Sequence, residues 1–438
     1  MQCLCVSEDD SFAFAGNKTG EIIKINIERD EIKPFDEPET CHPSLIGYNK
    51  ERFSKGVKSV ACVVNPITGN TNIIAGAGDG TVQILNPNLQ RIPSHTTTLH
   101  GGVTSISLNP TDGKSFLVGT EYSQRYSIDI STFTPELRET CHFGEIHDVV
   151  FPQKSSEIFV TASEHDIRVW SVSKKQELLR INVPNTTCYS VDVTPNGENI
   201  VSAWSDGKIR SFYPESGKLQ FMIPDAHSDA VRSLAICNSV GDDSSQWHLV
   251  SGGNDGTVRL WRINEKHQTM VHSMKEHRGA VNSIVCNGDG SQAASASCDG
   301  SCIIWDLHKG VRVTALYDST VFNSVCYHPD ESQYITGSAN NKIGFWDAYD
   351  GSPIRFITGG EDDITSLDVH SNGIFFVSGS ADKNVNVWHY DDGKLLSSGK
   401  GHSGKISKVT LSPDKSLIVS VGCEGGIFIW NLNTEGDH

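Results

Sequence analysis

The chain has 438 residues, 37% hydrophobic and 20% charged, a composition that permits two or three globular domains and excludes a disordered chain. Its formal net charge of −17 argues against nucleic acid as the main partner, because neutralising phosphates requires a basic surface. No apolar run approaches the ~20 residues that span a bilayer, and the start, Met1-Gln-Cys-Leu-Cys-Val, has no basic region of a signal peptide.

One short phrase recurs along the chain. A tight turn, often Asp-Gly, leads into an alternating strand that ends in Trp or a substitute, as in Asp255-Gly-Thr-Val-Arg-Leu-Trp261 and Asp299-Gly-Ser-Cys-Ile-Ile-Trp305. The endings are Ile25, Leu85, Ile128, Trp170, Phe212, Trp261, Trp305, Trp346, Trp388 and Trp430, and most gaps between them are 41 to 44 residues. A period near 42 with this ending is the signature of WD repeats, which predicts an all-β chain built as a β-propeller. No sustained 3.6-residue apolar period competes with that reading.

The first three endings fall within residues 1–132, which read as three blades of an incomplete N-terminal propeller. A charged insertion at about 28–56 interrupts them; a connection of that length is functional or solvated. Gly76-Ala-Gly-Asp-Gly80 and Gly113-Lys-Ser115 imitate nucleotide loops but lack the required glycines, so both read as turns. Three blades cannot close a circle, and the expectation is a seven-plus-seven tandem of which about four blades lie upstream, the alternatives being a true partial propeller or an unusual ring of about eight to ten blades.

The remaining endings predict a seven-bladed WD-repeat propeller over 133–432, followed by a tail at 433–438. Residues 277–318 show one blade in full: His277 opens it, Ala280–Cys286 alternates as an inner strand, and Asp299-Gly300 turns the chain into the strand ending at Trp305. A smaller polar insertion runs from Asn238 to Gln246. The last blade has too little chain after Trp430 for a fourth strand. The segment 134–141 could supply it, or could instead be the outer strand of the blade ending at Ile128.

Cys62, Cys237, Cys286 and Cys326 all fall on first strands of repeats, and the twelve cysteines contain no Cys-x-x-Cys. They read as buried thiols rather than a disulfide or zinc framework.

His, Ser and Asp recur at fixed offsets. His227, Ser251, Asp255 and Trp261 form one set; His277, Ser295, Asp299 and Trp305 form another. A Ser-His-Asp hydrolase needs an exposed serine beside an oxyanion site, whereas these serines lie mid-strand. The sets therefore read as structural hydrogen-bond networks. No residue qualifies as catalytic, cofactor-binding or metal-ligating, and no cofactor is implied.

Phrases beyond the repeat consensus carry a resemblance: Leu117-Val-Gly-Thr-Glu121, Asp166-Ile-Arg-Val-Trp170, Leu178-Leu-Arg-Ile-Asn-Val-Pro-Asn185, Ser202-Ala-Trp-Ser-Asp-Gly-Lys-Ile-Arg210, Val325-Cys-Tyr-His-Pro329 and Gly401-His-Ser-Gly404. With these, in collinear order, the chain resembles the cilia- and flagella-associated protein 52 family. The resemblance implies a non-enzymatic microtubule inner protein in the cytoskeleton of the ciliary or flagellar axoneme. Its partners would be tubulin and other axonemal inner proteins, with no nucleic acid, membrane or small-molecule substrate. The alternative is a soluble WD-repeat adaptor or substrate-recognition module. No tubulin-binding residues follow from the resemblance.

Asp299→Ala is expected to lower the melting temperature by opening a buried network; an unchanged thermal melt would refute the structural role.

Overall fold

The computed structural model describes residues 1–27, 44–64, 71–109, 114–237, 246–264 and 267–432. Residues 28–43 of the first insertion, 238–245 of the second and the 433–438 tail lie outside the described residues. The described residues are all β, arranged as ten antiparallel sheets, nine of four strands and one of three. They divide into two compact units, Met1–Phe143 and Gly144–His438.

In the first unit three sheets (3–48, 57–98 and 103–140) follow one another through neighbouring first strands, Cys3–Val6, Val57–Val64 and Val103–Leu108. Apolar side chains fill each junction, with Phe14, Ile22 and Val57 at the first and Ile74, Val103 and Phe116 at the second. Pro135–Thr140 pairs with Gln124–Asp129, as in Tyr126 opposite Leu137. Of the two places open to this segment, it takes the outer edge of the sheet ended by Ile128. The unit therefore extends to Phe143, past a boundary at 132 drawn from strand endings alone.

The second unit has seven sheets, here numbered I (146–182), II (188–223), III (231–274), IV (281–317), V (322–358), VI (364–400) and VII (406–431). Sheet VII has three strands, and its edge strand Ile427–Asn431 has no outer neighbour among the described residues. The seven first strands pack side by side in a circuit that returns from Ile406–Leu411 to Ile146–Val150. Every sheet thus has both faces covered by a neighbour. The junction between VII and I is filled by Ile146, Val149, Phe159 and Trp170 against Val419 and Val421. Burying a ring the size of Trp170 contributes on the order of 4 to 6 kcal/mol before conformational entropy is subtracted.

All seven inner strands share one irregularity. Each is bulged at its second residue, between Ile146 and Asp148, Cys188 and Ser190, Val231 and Ser233, and so on to Ile406 and Lys408. A bulge adds an unpaired residue and re-aims the side chains around it. Here the first and fourth residues become buried core, as Ile146 and Val149 do. The second, third and fifth line the space that the inner strands enclose.

The cysteine expectation needs correction. Cys237 and Cys286, one on the inner strand of sheet III and one on that of sheet IV, form a disulfide with Cα atoms 5.7 Å apart. They are 49 residues apart in sequence, which no clustered-spacing rule catches; the repeat brings residues one period apart onto adjacent strands. Cys5 and Cys62 meet the same way, with sulfurs 3.2 Å apart.

The glycine of the Asp-Gly turn has two reasons to be there. Gly300 has φ +80°, and a Cβ on it would lie 2.7 Å from the carbonyl oxygen of Asp318 in the connection to sheet V. Gly197 has a similar φ of +76° with open space around it. Both Gly197→Ala and Gly300→Ala incur about 1 kcal/mol of left-handed backbone strain. Urea unfolding should show Gly300→Ala costing roughly twice as much or more, because a backbone atom must also move; equal costs would refute the packing role.

Candidate functional site

The structure brings each sequence-predicted set together. In sheet III, His227 Nδ1 lies 3.0 Å from Asp255 Oδ1 and Nε2 lies 2.8 Å from Ser251 Oγ; Trp261 Nε1 donates to the same Oγ at 2.9 Å. In sheet IV, His277 Nδ1 is 3.2 Å from Asp299 Oδ2, Nε2 is 2.7 Å from Ser295 Oγ, and Trp305 Nε1 donates to Ser295 at 2.8 Å. The carboxylate requires the proton on Nδ1. Nε2 is then the acceptor, and the chain of donation runs from Trp to Ser to His to Asp. Burial lowers the His277 pKa, favouring that neutral ring.

Burial alone would push the Asp255 carboxyl up, but hydrogen bonds from His227 and Thr257 outweigh it and hold it well below the usual range. Asp299 is lowered in the same manner by Ser301 and the Arg278 amide. Ser251 and Ser295 are both fully buried. A nucleophile in that position cannot meet a substrate, and its hydroxyl is already committed on both sides.

A third set escaped the sequence reading because a glutamate replaces the aspartate. His402 Nδ1 meets Glu424 Oε1 at 2.5 Å and Nε2 meets Ser420 Oγ at 2.7 Å, with Trp430 donating to Ser420 at 2.8 Å. The signal was the spacing of 28 between His402 and Trp430, which matches His277 and Trp305. In sheet II, where Phe212 ends the strand, Trp204 donates to Ser202 at 2.8 Å instead.

The more open candidate is the space along the axis, a cavity of about 440 Å³. Taken round the circuit, the third residues of the inner strands are Asp148, Ser190, Ser233, Ser283, Ser324, Ser366 and Lys408. Several tie one sheet to the next by accepting the fourth residue's N–H. Asp148 Oδ2 accepts from Val191 at 3.0 Å, Ser190 from Leu234 at 3.3 Å, Ser324 from Leu367 at 3.1 Å and Ser366 from Val409 at 3.2 Å. In the first unit Ser59 does the same for Ile106 at 3.0 Å.

Lysine cannot accept a hydrogen bond, so the junction from VII to I is different. There Lys408 lies 3.7 Å from Asp148, whose charge holds the lysine pKa up against the cost of burial. Deeper in, Asp192 accepts from the Ile236 amide at 2.8 Å and Asp368 from the Leu411 amide at 2.7 Å. Burial pushes Asp192 up to about 6 and raises Asp368 as well. Among the described residues no group of three or more His, Cys, Asp or Glu could hold a metal ion.

Radial antiparallel sheets closed by Trp-Ser-His-Asp networks define a WD-repeat β-propeller. The WD domain, G-beta repeat family model matches residues 217–262, 268–306, 311–347, 351–389 and 393–431. The chain belongs to the cilia- and flagella-associated protein 52 family. It is 38% identical to that protein of Homo sapiens over 97% of this chain and 65% of the relative. The Chlamydomonas reinhardtii protein is 43% identical over 98% of this chain and 66% of its own length, and the Sus scrofa protein 38% identical over 98% and 66%. The chain thus spans just under two thirds of these relatives.

Asp255→Asn should lower stability near pH 7 by about 1.5–3 kcal/mol, the range for charge-assisted hydrogen bonds. Because the folded-state pKa is depressed, the wild-type advantage is fully present above the ordinary carboxyl value of 3.8, shrinks as pH falls below it, and is gone only once pH has passed through the depressed folded-state value. Denaturant titrations at pH 7 and pH 3 should show the gap between wild type and variant narrowing; a constant gap would overturn the assignment.

Proposed function

We propose that the chain is a non-enzymatic structural scaffold of the axoneme of motile cilia and flagella, binding and stabilising the doublet microtubule with other inner proteins. The observation that carries this is family membership across nearly the whole chain, with relatives whose name associates them with cilia and flagella. The buried, doubly committed serines of the repeated sets support a non-enzymatic reading. A rigid propeller presents loops at fixed geometry, and weak contacts repeated along a periodic lattice add through multivalency. The chain's acidity sets a condition, because docking on tubulin then depends on local basic patches rather than on net charge.

The test is fractionation of cilia carrying the tagged chain, together with co-sedimentation on purified microtubules. Retention in axonemes after detergent and salt washes, with saturable pelleting, is expected. Release by mild detergent and absence from the washed axoneme would overturn the reading in favour of a soluble adaptor.

A further inference from the structure

The second residues of the inner strands form the mouth of the axial space in the second unit, within a cavity of about 590 Å³. The bulge turns them there, and all are polar or aromatic. Three in succession are His147, Tyr189 and Arg232. The Arg232 guanidinium lies 4.7 Å over the Tyr189 ring, and the His147 ring sits 5.1 Å from Tyr189 in a tilted arrangement. Burial lowers the His147 pKa, and the charges of Arg232 and Lys405 add to it against the opposing pull of Glu145 and Glu164.

Arg232 stands apart from the other charges at the mouth. Lys405 is paired with Glu145 at 3.3 Å. Arg232 forms no ion pair or hydrogen bond among the described residues; its only recorded partner is the tyrosine face. Next to it, Ser233 is 5% exposed, lines the axial space, and has a hydroxyl with no partner among the described residues. The mouth's own carboxylates are Glu145, held by Lys405, and Asp363, and neither pairs with Arg232, so the guanidinium held on the aromatic ring offers donors with no acceptor on them among the described residues. Guanidinium meets carboxylate in a bidentate geometry that lysine cannot copy.

We infer that the mouth is a binding site for the carboxylate of an acidic side chain in a partner polypeptide, with Arg232 as its ion-pair partner. Tyr189 holds the guanidinium in place and so lowers the entropy lost on binding. The inference rests on the geometry of the second unit and is independent of the proposed axonemal role.

Cys298 makes the site measurable, because it is exposed and lines the same mouth. The experiment uses the full chain and three fluorescent peptides: Gly-Glu repeats with an amidated C-terminus, the Gly-Gln counterpart amidated, and the Gly-Gln counterpart with a free C-terminus. The Glu peptide should bind saturably, weaken as salt rises, and slow maleimide labelling of Cys298 followed by mass spectrometry. Arg232→Gln should reduce its affinity about 10-fold or more, in line with loss of a charge-assisted pair, with an unchanged melting temperature. Arg312→Gln, in an outer strand and paired with Glu276, should not. Preferential binding of the free-terminus Gln peptide would replace the side-chain source by a chain terminus. No saturable binding, equal binding of the amidated Gln peptide, or full affinity in Arg232→Gln would overturn the site. If Arg232→Gln unfolds, Arg232→Lys is the substitute; it keeps the charge and should lose only part of the affinity.

Discussion

A blade has two apolar faces and no way to bury both by itself. Everything in the second unit depends on the junction where the last sheet meets the first. Strand exchange does not make that junction in the described residues, since sheet VII keeps three strands and Pro135–Thr140 is used elsewhere. Side-chain packing makes it: Ile146, Val149, Phe159 and Trp170 against Val419 and Val421. Polar ties flank the packing, with the Asp414 amide donating to Ser156 Oγ at 2.9 Å and Lys408 beside Asp148. Remove that seam and two apolar sheet faces are left to water.

Four of the other six junctions, I to II, II to III, V to VI and VI to VII, add a polar stitch to the same packing. The third residue of an inner strand accepts an amide from the next inner strand, which would otherwise be a buried donor without a partner. Serine suits the role because it is small and needs little room. Aspartate does it at Asp148 and reaches two donors at once, the Val191 amide and the Ser190 hydroxyl. The same residues shape the axial space, so the circuit's stability and the chemistry of its lining come from one set of positions.

Much of this was legible from spacing. The strand endings located the strands, and the offsets of His277, Ser295, Asp299 and Trp305 announced a network whose members now lie within hydrogen-bond distance. What stayed hidden had three physical causes. The disulfide joins residues that only the repeat geometry makes neighbours. The place of 134–141 depended on pairing with Gln124–Asp129, a tertiary choice that its own alternation leaves open. The mouth residues Arg232 and Tyr189 were masked because a bulge breaks the period-two rule that tells inward from outward.

The family's repeats do not coincide with the sheets. The match over 217–262 begins with the outer strand of sheet II and runs on through three strands of sheet III. The peptide chain itself therefore crosses six of the seven junctions in the circuit, and among the described residues the one between VII and I is held by non-covalent contacts alone. In mechanical terms the circuit is a belt with six sewn joints and one clasp. A pull around its circumference meets covalent bonds at six places, and the clasp sets the load at which the belt opens.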